Sequence, residues 1–183
     1  MKSKAFWHGA SIGVLVAAVS IGAVAQRSTH AHLSGLINDY TPASVAGPWE
    51  ICGEWSLRVK GEAGKADFSA ALTMVRSDLG VSDLNSPAAR NAHTHHITLV
   101  DGTVTPVANG FRVSGMATIT ANGTFPAPFG PSSTLQIDVT GGNSVTFSNI
   151  KLTFGGDAAG HFGTQAVNGV VRSFKQHESR EDK

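Results

Sequence analysis

The amino-acid sequence predicts an all-β protein built as a single antiparallel β-barrel of about eight strands. Glycine, threonine, serine and valine dominate, and no segment after the N-terminal region shows the periodicity of a long helix. Apolar and polar residues alternate instead, and Asn-Gly, Asp-Gly and Gly-Gly turn signals separate the alternating segments. A two-sheet sandwich is the alternative. The barrel is favoured because a closed sheet leaves no edge strand exposed.

Residues 1–25 have the features of a signal peptide. Two lysines precede an uncharged apolar run at 12–24, and Ala23 and Ala25 supply the small residues of a cleavage site. An uncleaved membrane anchor is the alternative, because residues 5–25 approach the length that spans a bilayer. Cleavage is favoured, so we expect export to the periplasm or the extracellular space, with no stable membrane span after cleavage.

The rest of the chain is predicted to form one β domain at 26–174 and a charged, flexible tail at 175–183. The sequence has 14 Lys and Arg against 13 Asp and Glu, and two of the lysines lie in the signal peptide, so the mature chain is near neutral. A nucleic-acid binder needs a clustered basic face. The scattered charges of this near-neutral chain predict no such face, which excludes nucleic acid as a partner. The single cysteine, Cys52, excludes an intramolecular disulfide and is expected to be a buried, small apolar residue.

The clearest strand is predicted at 48–60, where two-residue alternation is strict. One face of this strand carries Trp49, Ile51, Gly53, Trp55, Leu57 and Val59. A glycine-rich turn at 61–64 follows, and the alternation resumes with Ala66, Phe68, Ala70, Leu72 and Met74. The two segments are predicted to form a hairpin in which Ala66 and Ala70 lie opposite Trp55 and Leu57.

A first strand is predicted near 32–37, and further strands at 95–100, 111–120, 134–140, 144–154 and 166–173. Two connections are long. The segment 77–91 is predicted to be a loop that serves as a lid or rim. The segment 125–131 contains three prolines and cannot join a sheet interior, so its two phenylalanines either cap the core or close a ligand mouth.

A histidine cluster carries the most specific chemistry in the sequence. On an extended strand, His93 and His95 point to the same face with their backbones roughly 6.5 to 7 Å apart, which allows two-point metal chelation. His96 points the other way. Ile97 and Leu99 continue the face of His93 and His95, so a core position for these aliphatic residues places the two histidines at the mouth of the barrel.

His161 is the preferred third metal ligand, because the glycine-rich segment 155–161 allows it to approach another strand. His32, Glu50 and Glu54 are further candidates. A divalent transition metal is the cofactor that this set would bind, and a catalytic metal would also need an open coordination position. The alternative is that the histidines hydrogen-bond to loop carbonyls or face solvent.

The His93-Thr94-His95 spacing with a later His161 resembles the histidine pattern of the cupins, a family of β-barrels. The resemblance implies a histidine-ligated metal and a metal-dependent enzyme. The pattern departs from the family at two points. Leu99 stands about where the cupin glutamate is expected, and the Pro-x-Gly ahead of the second histidine is missing.

Three functions follow as hypotheses. The favoured one is an exported, non-catalytic binding module that holds a small, partly apolar ligand. Its pocket would be lined by Trp49, Trp55, Phe68, Ile97 and Leu99. The second is a metal-dependent enzyme acting on a small organic substrate through His93, His95 and His161. The third is a surface or structural protein that self-associates. The oligomeric state and any catalytic residues are left open by the sequence.

Overall fold

A computed structural model describes residues 29–41, 49–61, 64–76, 92–122, 130–141 and 148–178. Eight antiparallel strands form a closed barrel in which each strand pairs with its neighbour in the chain and the last pairs with the first. The strands are β1 (Thr29–Tyr40), β2 (Trp49–Lys60), β3 (Lys65–Arg76), β4 (His93–Val107), β5 (Gly110–Asn122), β6 (Ser132–Thr140), β7 (Asn149–Phe154) and β8 (Val167–Glu178). One short helix, α1 (Ala158–Phe162), lies between β7 and β8. The predicted single barrel is confirmed, and the sandwich alternative is wrong.

Two-residue alternation decides which side chains fill the barrel. In β2, Ile51, Trp55 and Leu57 are buried, whereas Glu54 and Arg58 are exposed on the outer face. The same alternation holds in the other strands except at their bulges, and the inward side chains form one continuous apolar core. Cys52 lies on the outer face of β2 and is half-buried rather than buried as expected.

The β2–β3 hairpin pairs large side chains with small ones. Trp55 lies opposite Ala70 on one side and opposite Gly35 on the other. A Cβ at position 35 would clash with the carbonyl oxygen of Val170 and would lie 2.9 Å from the Trp55 ring, so the glycine allows both to approach closely. The predicted position opposite Trp55 is confirmed for Ala70. Ala66 lies opposite Val59 instead, and Leu57 lies opposite Phe68.

The turn signal Asp101-Gly102 does not end β4, which was predicted to stop at residue 100. The strand continues to Val107, and its register with β5 shifts between Leu99 and Thr103. Asp101 adopts a positive φ of 54°, and its backbone N–H donates to Asp67 Oδ1 at 3.0 Å. The Asp-Gly pair therefore forms a bulge within the strand.

The chain ends also differ from expectation where they are described. β8 runs to Glu178, so Lys175 belongs to the barrel and the predicted tail begins too early. The predicted signal peptide at 1–25 and the predicted loop at 77–91 lie outside the described residues, as do residues 125–129 and 179–183. Within the described ranges, no helix is long and apolar enough to cross a membrane.

Candidate metal site

The barrel topology brings two distant parts of the sequence to one end. Strand direction alternates, so the β3–β4, β5–β6 and β7–β8 connections all lie at the same end. His93 is the first residue of β4, and His95 follows on the same inward face. His161 lies in α1, within the β7–β8 connection. The predicted placement of two histidines at the mouth of the barrel, with Ile97 and Leu99 buried below them, agrees with the structure.

The three histidines converge on one point. Nε2 of His161 lies 3.2 Å from Nε2 of His93 and 2.9 Å from Nε2 of His95. The potential ligand atoms of all three residues lie within 4.8 Å of one another. In a tetrahedral zinc site with Zn–N bonds of about 2.0 to 2.1 Å, neighbouring nitrogens are about 3.3 Å apart. The two short separations are therefore close to those of a metal-bound set.

Hydrogen bonding alone does not account for both short contacts of His161. A ring nitrogen of neutral imidazole carries either one proton or one lone pair in the ring plane. Nε2 of His161 can therefore form one well-directed hydrogen bond, and it lies at hydrogen-bond distance from two other ring nitrogens. A cation between the three nitrogens would accept a lone pair from each of them.

Burial keeps two of these imidazoles neutral. The side chain of His95 is fully buried, and that burial, together with the charges of His161 and His93, lowers its pKa to about 3. Burial also lowers the pKa of His161, to about 4, with a further contribution from the charge of His93. At neutral pH both rings therefore hold the lone pair that a metal ligand must donate.

Aromatic side chains hold the histidines in place. Phe162 is fully buried and contacts the rings of His95 and His161, with centroids 5.0 and 5.1 Å away. Phe154 stacks on Phe162 at 4.1 Å. On the other side, Trp49 packs edge-on against His93 at 5.3 Å.

Sequence reasoning missed part of this support. Phe162 and Phe154 were not predicted to belong to the site, nor was Arg76, whose guanidinium lies 5.6 Å from the Trp49 ring centroid. The position of Phe162 next to His161 in the sequence was the available signal. The contact of Phe154 depends on a helix that alternation does not predict.

The residues predicted to line a ligand pocket are divided between two places. Trp55, Phe68, Ile97 and Leu99 are buried in the barrel core, and Trp49 lies at the rim beside His93. The weaker metal candidates His32, Glu50 and Glu54 do not belong to the converging group. His96 is exposed on the outer face of β4, as its parity predicts.

The fold and the site define an up-and-down β-barrel with a three-histidine cluster at one end. Its consecutive strand order differs from the jelly roll of the cupins, so the histidine spacing is shared without the topology. No protein-family model, curated protein or solved structure matches the chain.

Proposed function

We propose that this protein binds a divalent transition metal through the Nε2 atoms of His93, His95 and His161. The observation that carries the proposal is the pair of contacts from Nε2 of His161, at 3.2 and 2.9 Å. Imidazole nitrogen suits zinc, copper, iron and nickel, and the absence of a thiolate from the group makes a purely structural zinc site of the cysteine type a poor fit.

Three protein ligands leave a coordination position for water or a small organic substrate, which is the arrangement of catalytic zinc sites. Complete burial of His95 would exclude solvent from the inner side of the ion, so exchange would occur on the side of the half-buried His93 and His161. The proposal therefore includes metal-dependent chemistry on a small molecule as the role of the site.

The experiment measures metal binding by the full chain purified without a histidine tag. Titration with Zn²⁺ and Co²⁺, followed by calorimetry and by Co²⁺ absorption, is expected to show one ion per chain. His161→Gln and His95→Gln are each expected to weaken binding by about 100-fold, because each removes a ligand nitrogen. His96→Gln is the matched control, since this ring lies on the opposite face of the same strand. Absence of saturable binding, or an equal loss in His96→Gln, would overturn the proposal.

A second function, binding of a small and partly apolar ligand inside the barrel, is favoured by one separate observation. Nε1 of Trp55 is buried and has no hydrogen-bond partner among the described residues. Buried N–H groups are almost always paired, so an acceptor oxygen on a ligand would complete this site. The ring of Phe68 stacks against Trp55 with centroids 6.5 Å apart and would provide apolar contact.

The test uses prodan, a neutral fluorescent ketone, as the probe. Trp55→Phe keeps an aromatic ring and removes the N–H, so it is expected to weaken prodan binding about fivefold, the order of one hydrogen bond. Tyr40→Phe removes an exposed hydroxyl and is expected to leave binding unchanged. Equal affinity in Trp55→Phe and the unmodified protein, or no binding at all, would rule the barrel interior out as this ligand site.

A further inference from the structure

The end of the barrel opposite the histidine cluster carries a row of basic side chains on its outer face. His32 of β1 lies directly opposite Arg58 of β2 and directly opposite Lys175 of β8. All three side chains are exposed. Residues opposite each other in neighbouring antiparallel strands have Cβ atoms about 4.5 to 5.5 Å apart, so the three basic groups lie within reach of one small ligand.

A groove accompanies this row. It has a volume of about 370 Å³ and is lined by His30, Ala31, His32 and Arg58, which expose mostly carbon atoms to it, so it suits the organic part of a ligand. His30 lies on the same outward face as His32, two residues earlier in β1, and it is also exposed. The volume falls within the range of small-molecule sites and exceeds what a single inorganic anion fills.

Arg58 and Lys175 place two cationic side chains in this row. They flank His32 from both sides, two strands apart. Asp67 lies opposite Arg58 on β3, but its carboxylate binds Lys60 Nζ at 2.7 Å. Asp67, the carboxylate of β3 that lies opposite Arg58, is therefore already paired with Lys60.

A second arginine on the outer face of the barrel forms an ion pair and serves as a comparison for Arg58. Arg112 makes two parallel hydrogen bonds to Asp138, at 2.6 and 3.0 Å, across β5 and β6. Arg58 forms no such ion pair within the described ranges. Its guanidinium fork is suited to a bidentate oxyanion, and phosphate matches that geometry.

We propose that this end of the barrel binds a small phosphate monoester, with the organic part in the groove and the phosphate group held by the basic side chains beside it. Arg58 would bind two phosphate oxygens, and Lys175 and His32 would add charge and a ring N–H donor. The organic part of the ester would lie along His30 and Ala31. The proposal is independent of the metal site, because the two lie at opposite ends of the barrel.

The test is a titration of the full chain with phenyl phosphate and with inorganic phosphate, followed by NMR chemical shifts at constant ionic strength. We expect saturable binding with shift changes at residues 30–32 and 58, and tighter binding of phenyl phosphate than of inorganic phosphate. Arg58→Gln is expected to weaken binding about tenfold and Lys175→Gln about threefold, in line with the loss of charge-assisted hydrogen bonds.

Two controls keep the result interpretable. Lys151→Gln removes an exposed lysine on β7, away from the groove, and is expected to leave binding unchanged. The titration is repeated in His161→Gln, so that phosphate bound to a metal ion does not contribute. Arg58→Lys keeps the charge without the fork and is expected to give intermediate affinity. The proposal is overturned if binding does not saturate, if Lys151→Gln weakens it as much as Arg58→Gln, or if it disappears in His161→Gln.

Discussion

At the scale of single residues, His95 links stability to pH. It is fully buried, and burial is the largest cause that lowers its pKa from 6.5 to about 3. The unfolded chain binds a proton at the ordinary histidine pKa, whereas the folded chain resists protonation until the pH is far lower. His161, with a pKa of about 4, acts in the same direction.

The metal-free protein is therefore expected to lose stability as the pH falls below about 6.5, because the unfolded state then binds more protons than the folded state. Above that pH both states hold neutral imidazole, so these two groups no longer change the unfolding free energy. The loss of stability ends near the folded-state pKa values of about 3 and about 4. Urea unfolding at several pH values, with metal removed by a chelator, measures the slope.

His95→Gln is the informative variant for this prediction, and His96→Gln is its control. Replacing the buried ring removes one titrating group and should flatten the pH dependence of the unfolding free energy. Replacing the exposed ring should change the slope much less, because His96 is the weakest of the groups whose charge lowers the pKa of His95. An unchanged slope in His95→Gln would show that the pH dependence arises elsewhere.

At the scale of secondary-structure elements, α1 determines where His161 lies. The helix spans five residues and buries Ala158 and Phe162 against the end of the barrel. Phe162 stacks on Phe154 of β7 and contacts the rings of two histidines. Because so short a helix has little stability of its own, this packing fixes the orientation of His161.

Phe162→Ala is expected to destabilise the fold by about 3 to 5 kcal/mol, as for other buried phenylalanines, and to weaken metal binding about tenfold because His161 is no longer held. Phe68→Ala is the matched control, since Phe68 is equally buried but lies about 13 to 20 Å along β3 from the positions opposite His95 and His93. Thermal unfolding and metal titration of both variants distinguish the effects. Equal metal affinity in the two variants would contradict a positioning role for α1.

The elements also show how far the sequence predicts the structure. Parity placed His93 and His95 inward and His96 outward, because the two-residue period of a strand is a local property. The local turn signal at Asp101 gave a wrong prediction, because an Asp-Gly pair occurs both in hairpin turns and in bulges. Only the pairing with β3 and β5 distinguishes the two. The helix at 158–162 escaped notice because five residues are too few to show a helical period.

At the scale of the whole molecule, the convergence of His161 with His93 and His95 was a hypothesis that the sequence could not test. It depends on the order of the strands, which puts the β3–β4 and β7–β8 connections at one end. A jelly-roll order with the same strands would place these connections differently. Barrel closure was predictable from the number of strands and the lack of a disulfide, and so was the β2–β3 hairpin, whereas the pairing of β1 with β8 was not.

The pairing of β1 with β8 has a consequence for how the barrel forms. These are the first and last strands of the sheet, so their contact joins residues about as far apart in the chain as the domain allows. Such pairing is slow because a long loop must close before any hydrogen bond is gained. Until β8 has been synthesised and docked, the growing sheet has two open edges, and a chaperone that shields an edge would protect it from aggregation during that interval.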